Sequence, residues 1–199
     1  MSRIPSHRTS LVAIAAVLSI TACAKPPQEA IDAAVAAQQS AVTAGAEEYA
    51  PEAMAAVTQA KAALDAELAA QQEKMSFTRS YGHAEELAAA YQSAAQQAAT
   101  AAATAKEQAR AEASDLIAQG RLALEEAMAA LAAAPRGKGS AADLAAFQTD
   151  LQTAGTTLAD AEAALTGEQY LQARSMANSA HEVITRVKDA VAQAQTARR

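Results

Sequence analysis

The stretch LAAFQTDLQTAGTTLADAEAAL, Leu144 to Leu165, decides the fold. Its residues Leu144, Phe147, Leu151, Ala154, Leu158, Ala161 and Leu165 are separated by alternating steps of three and four. That rhythm places all of them on one face of an α-helix, whereas a strand needs alternation at every second residue. It is also the seam spacing of helices packed as a coiled coil. Thr166-Gly167 interrupts the run, after which Tyr170, Ala173, Ala177, Ala180, Ile184, Val187, Val191 and Ala194 continue in the same steps. Two such seams joined by a short break describe an antiparallel helical hairpin.

Working upstream, PRGKGS (Pro135 to Ser140) is the clearest loop, and Ser140 followed by Asp143 has the form of a capping box with Asp in place of Glu. From about His83 to Ala134 there is no Pro and one Gly, Gly120. This predicts one helix of about 50 residues, roughly 75 Å long, with Ser114-Asp115 or Gly120 as the place for a kink. Its apolar face passes from Tyr81, Leu87 and Tyr91 through Ala98, Ala102, Ala105 and Ala109 to Ile117, Leu124, Met128 and Leu131. MSFTRSYG (Met75 to Gly82) reads as a turn, with Ser80 as the N-cap of the long helix. Before it, Met54, Val57, Leu64 and Leu68 mark a helix opened by Pro51. Ile31, Val35, Val42 and Tyr49 mark an earlier one that starts near Pro27 and ends at Pro51.

Composition agrees. Alanine supplies 62 of the 199 residues, aromatics only 3%, and Trp is absent. Alanine is the strongest helix former and loses no rotamer entropy on folding, while strand formers are scarce. Low complexity admits a disordered reading, but helical periodicity throughout the body argues against it; only the Pro26-Pro27 tether and the last residues fit disorder. The expected fold is all-α: long antiparallel helical hairpins or a bundle. A weak echo, AAL ahead of a Tyr-led segment at Ala62–Leu64 with Tyr81 and at Ala163–Leu165 with Tyr170, extends this to two three-helix units sharing the long middle helix. That arrangement is similar in outline to tandem spectrin repeats. Alanine seams bury little area per residue, so Ala94 to Ala113 should be the weakest stretch.

The front end carries a different message. Arg3 and Arg8 precede the uncharged run LVAIAAVLSITA, Leu11 to Ala22. A basic start, a short apolar run and small residues at its end describe a secretory signal, and the run is too short to span a bilayer. Cys23, the only cysteine, follows Ile20-Thr21-Ala22. One thiol cannot make an internal disulfide, and an incidental cysteine in an ordinary signal is the competing reading. Ile20-Thr21-Ala22-Cys23 resembles the lipobox of bacterial lipoproteins. The resemblance implies cleavage between Ala22 and Cys23, a diacylglycerol on the thiol and an acyl group on the new amine. Two acyl chains are enough for stable anchoring. Ala24 stands where Asp often marks inner-membrane retention in such proteins, so the outer membrane, facing the periplasm, is the expected address.

The expected organisation is thus a signal over residues 1–22, a lipidated tether over 23–27, and helical units over 28–113 and 114–199. Losing Arg3 and Arg8 with the signal moves the net charge from −6 to −8. An acidic chain without a basic stripe is a poor nucleic-acid binder.

AVTAGAEEYAPEAMAAVTQAKAAL (Ala41 to Leu64), with YGHAEELAAAYQSAAQQA (Tyr81 to Ala98), resembles the bacterial lipoprotein family called domain of unknown function 4398. Gly45, Ala46, Tyr49, Ala50, Pro51 and Glu52 carry the match, over about the first half of the chain beyond Cys23; the insert around Gln71 to Ser80 departs from the family spacing. The resemblance implies a helical, lipid-anchored envelope protein and no catalytic residues.

No motif for catalysis stands out. His83 and His181 have no ligand spacing, and His181-Glu182 lacks the second His of a zincin. Glu47-Glu48, Glu85-Glu86 and Glu125-Glu126 diverge by about 100° on a helix and read as solvated surface. Tyr49, Tyr81, Tyr91 and Tyr170 cluster near predicted turns and fit either a recognition patch or bulky plugs at the ends of an alanine core, and the end-plug is favoured. The expected function is a non-enzymatic structural, scaffold or adaptor role in the envelope, with no metal and no cofactor. Envelope proteins or peptidoglycan are the expected partners, and self-association through the seams is open. The alternative is a carrier for an apolar or lipid ligand.

Overall fold

A computed structural model of the chain describes residues 25–134 and 141–196. The signal segment 1–22, Cys23 and Ser140 lie outside the described residues. Within them the secondary structure is helical throughout: α1 (Gln28–Thr43), α2 (Ala46–Tyr49), α3 (Pro51–Glu73), a 3₁₀ turn (Ser76–Thr78), α4 (Gly82–Ala132), α5 (Ala141–Thr166) and α6 (Tyr170–Thr196). The all-α class expected from the periodicity is what forms.

Helix boundaries follow local chemistry. Pro27 is the N-cap of α1 and its carbonyl accepts the Ile31 N–H at 3.0 Å. Pro51 occupies the first turn of α3, where its missing N–H costs nothing. The first helix does not run on to Pro51, as the Val35–Val42–Tyr49 spacing implied. It stops at Thr43, because Gly45 turns left-handed (φ 82°) and its N–H caps the Val42 carbonyl at 2.9 Å. α5 ends in a Schellman arrangement, with Gln169 N–H to Ala164 C=O at 2.9 Å and Glu168 N–H to Leu165 C=O at 3.2 Å. Its left-handed residue is Glu168 (φ 60°), one position after Gly167. Ser80 is not the N-cap of α4: Tyr81 holds that place, and the Ser80 N–H goes to Gln71 Oε1 at 3.0 Å.

α4 has 51 residues, about 77 Å of helix, and runs unbroken through Ser114, Asp115 and Gly120. Every other long helix packs on it. Lys106–Glu168, Glu112–Arg174 and Glu126–Lys188 each link residues 62 apart, so α6 lies parallel to α4 in a constant register. The Tyr91–Gln38 hydrogen bond and a cleft shared by Pro27, Glu29, Tyr81 and Glu85 set α1 parallel to the first half of α4. α3 and α5 return antiparallel: Gln71 reaches Ser80, and Arg121 reaches Glu162. α1 and α2 therefore end at Tyr49, where α6 begins, and α3 begins near the level at which α5 ends.

Two main side-chain cores result. One joins Ala34, Ala41, Val57, Leu64 and Tyr91 to Ala84–Ala102 of α4. The other joins Ile117 and Ala127 to Leu151, Leu158, Ile184 and Val187. Ala113, Ala164 and Ala173 form a small cluster between them.

The seams of α5 and α6 are those expected, except that Ala194 is exposed and Ala164 is buried where Leu165 is only partly covered. The seam of α1 is not. Ala34 and Ala41 are fully buried, while Val35 and Val42 are 38% and 43% exposed. Alanines also line the facing side of α4 at Ala84, Ala88 and Ala95. Small residues on both sides draw the axes together and leave no room for a Val between them. Met128 likewise turns outward at 44% exposure, and Ala127 takes the inner position. Gly120 is a notch rather than a kink: it is buried, and a Cβ there would lie 2.8 Å from Leu158 Cδ2.

Candidate functional site

The richest side-chain chemistry collects at the waist of the molecule, where α2 meets the start of α6 across α4. Gly45 and Pro51 shape this corner. Gly45 supplies the left-handed turn, and a Cβ on it would sit 3.2 Å from the Tyr49 ring. Pro51 restarts the chain in the opposite direction. Between them Tyr49 is delivered to the surface of α4, half-buried.

Glu48, Lys106 and Tyr170 converge on it. Lys106 Nζ lies 2.9 Å from Glu168 Oε2 and 5.6 Å from the centre of the Tyr170 ring, within range of a cation–π contact. Burial raises the Tyr49 phenol above its ordinary value of 10.0, and Glu48 adds to this; Lys106 and a hydrogen bond from the Tyr170 backbone act against it. The hydrogen bond to Glu168 raises Lys106, and the same contact lowers Glu168. Below this group a cleft of ≈ 290 Å³ is lined by Glu48, Tyr49, Gln108, Glu112 and Arg174. A shallow polar groove continues along the α4–α6 surface past Asp115, Gln119 and Asn178. This waist sets exposed paired charges around half-buried Tyr49 and buried Tyr170, an arrangement suited to holding two helical segments in line.

The candidate residues are thus divided. Gly45, Tyr49 and Pro51 act together at the corner, and Tyr170 joins them. Ala22 and Cys23 lie outside the described residues. Of the four tyrosines, Tyr81, Tyr91 and Tyr170 are buried at 8%, 1% and 7% exposure, which favours core filling. Tyr91 sits in the middle of the first core and not at its end. The acid pairs Glu47-Glu48, Glu85-Glu86 and Glu125-Glu126 are exposed. His83 pairs with Glu86 at 3.4 Å near the start of α4. His181, with Nδ1 buried and unpartnered, lies level with Gln119 by the 62-residue register, about 54 Å further along. Among the described residues no group of three or more His, Cys, Asp or Glu side chains is placed to hold a metal ion.

Sequence reasoning did not find Lys106, Glu168 or Arg174. The 62-residue spacing of opposite charges was present in the chain, but it becomes a signal only when the parallel register of α4 and α6 is known. Gln71 was also missed. It is 5% exposed, continues the seven-residue step of Val57 and Leu64, and bonds Glu67 and Ser80. The chain matches no family model, no curated protein and no solved structure.

Proposed function

We propose that this protein is a lipid-anchored, non-enzymatic scaffold or adaptor of the bacterial cell envelope, tethered through acylated Cys23 and facing the periplasm from the outer membrane. The observation that carries the reading is the path of the first helix. α1 starts five residues after Cys23 and runs parallel to α4, so the tether leaves from one end of a helix about 77 Å long. An anchor at one end of a rod holds the other end away from the membrane and offers its charged helix faces to proteins or peptidoglycan. The lipobox-like Ile20–Cys23 and the resemblance carried by Gly45–Glu52 point the same way. No helix among the described residues is long and apolar enough to cross a membrane, so the proposed attachment depends on acyl chains.

The test is the Cys23→Ser chain. It should leave the membrane fraction, and the native chain should acquire labelled palmitate. Crosslinking and mass spectrometry on intact envelopes should then recover defined partners along α4 and α6. Equal retention of the serine variant would refute the anchor.

A carrier role is the second reading. It is favoured by a cleft of ≈ 550 Å³ between α4 and α5, lined by Met128, Leu131, Leu144, Gln148 and Leu151. A carrier should show a raised thermal midpoint with phospholipid or fatty acid; a scaffold should not.

A further inference from the structure

The two most exposed large apolar side chains among the described residues are neighbours: Phe77 at 78% and Met75 at 67%. They lie on the turn between α3 and α4, and the turn is held firmly. The Thr78 N–H and hydroxyl both donate to the Met75 carbonyl at 2.8 Å. Arg79 donates from Nε to the Lys74 carbonyl at 3.0 Å and from Nη2 to the Gln72 carbonyl at 2.9 Å. Buried Gln71 receives the Ser80 N–H. Phe77 and Met75 are thus displayed on a loop pinned by these hydrogen bonds.

The turn also lies at the tether end. Tyr81 and Gly82, which follow it, share a cleft with Lys25, Pro27 and Gln28. Cys23 precedes Lys25 by two residues, a reach of about 7 Å at full extension. Lys74, Arg79 and Lys25 bring three cations to this end of an acidic chain, and no carboxylate pairs with them among the described residues. The acids nearest in sequence stand at the same end: Glu29 and Glu85 lie in the first turns of α1 and α4 and line the cleft with Lys25, and Glu73 closes α3.

We propose that the Met75–Phe77 turn is a second membrane contact. Phe77 and Met75 enter the headgroup–acyl boundary beside the Cys23 lipid, and Lys74, Arg79 and Lys25 meet lipid phosphates. Apolar side chains flanked by snorkelling cations are the pattern of interfacial binding. Two contacts at one end define the tilt of a rod, which a single point of attachment cannot do. The proposal rests on the reading of Cys23 as lipidated.

The chain has no Trp, so Phe77→Trp provides a single reporter and Leu122→Trp a control about 60 Å further along α4, at a site 63% exposed. The lipidated proteins are purified, their acyl mass is confirmed, and they are reconstituted into phosphatidylethanolamine–phosphatidylglycerol vesicles with brominated acyl chains. Emission from Trp at position 77 should shift to the blue and fall about twofold, while that from position 122 stays unchanged. Adding Lys74→Glu should reduce the quenching. An acylated protein with position 77 unquenched overturns the membrane contact alone. Equal quenching at both positions overturns it too, since the rod would then lie flat. A protein lacking the acyl mass overturns both the anchor and the contact.

Discussion

Placing the same methyl group at Gly120 and at Gly155 should have opposite effects. Each glycine lies inside a helix, so Gly→Ala brings about 0.8–1.0 kcal/mol of intrinsic helix propensity at either site. At Gly155 the new Cβ would meet only Leu124 Cδ2, at 3.3 Å, and Leu124 is half-buried and free to give way by a few tenths of an ångström. At Gly120 it would meet Leu158 Cδ2 at 2.8 Å and Cδ1 at 3.4 Å. Leu158 is 2% exposed and packed with Leu151, Ala154 and Ala161, so its displaced methyl has no open space. Overpacking of this kind costs about 1–3 kcal/mol. Gly155→Ala should therefore be more stable than the native chain by about 0.5–1 kcal/mol, and Gly120→Ala less stable by about 0–2 kcal/mol. With about 2–4 °C per kcal/mol for a chain of this size, the two thermal midpoints should separate by about 1–12 °C. Far-UV circular dichroism in urea and on heating measures this. In a Leu158→Ala background the Gly120→Ala penalty should disappear, because the clash partner is gone. Equal stabilisation by both single substitutions would refute the close approach of α5 to Gly120.

In α1, Val42→Ser should shift stability by no more than about 0.5 kcal/mol, whereas Ala41→Leu should cost about 1–3 kcal/mol by forcing α1 off α4; urea midpoints reversing that order would restore the Val35–Val42 seam. Gln71→Ala removes the acceptor of a partly buried N–H and should cost about 1–3 kcal/mol, with faster amide exchange confined mainly to residues 74–81. Glu126 and Glu168 are held below their ordinary value of 4.5 by hydrogen bonds from Lys188 and Lys106. A lowered folded-state value means that their contribution is complete above about 4.5 and is lost as pH falls through the folded values. The thermal midpoint should drop across that range, and less so in the Lys106→Met/Lys188→Met variant; an unchanged acid response would remove these pairs from the account.

The helices were legible in the chain because helix formation is local. Alanine propensity, the 3–4 steps from Leu144 to Val191, and the stops at Pro51 and Gly167 act over a few residues and need no knowledge of neighbours. The lipidation proposed for Cys23 rests on a linear pattern alone, a lone cysteine after a short apolar run. Which face of each helix is buried was a different matter. Val42 is more apolar than Ala41, yet Ala41 is inside, because the deciding quantity is how closely α1 approaches the alanines of α4. Gly120 read as a place for a kink and is a socket for Leu158, a residue 38 positions away. The waist of Lys106, Tyr170 and Glu168, and the meeting of the Phe77 turn with the tether end, depend on α1 and α6 both running parallel to α4. Sequence determined that this protein is helical and where most of its helices break, the stop of α1 ahead of Gly45 excepted. Only the packing of those helices decided their register, and with it which side chains meet, because distance between helices is set by both surfaces at once and by neither alone.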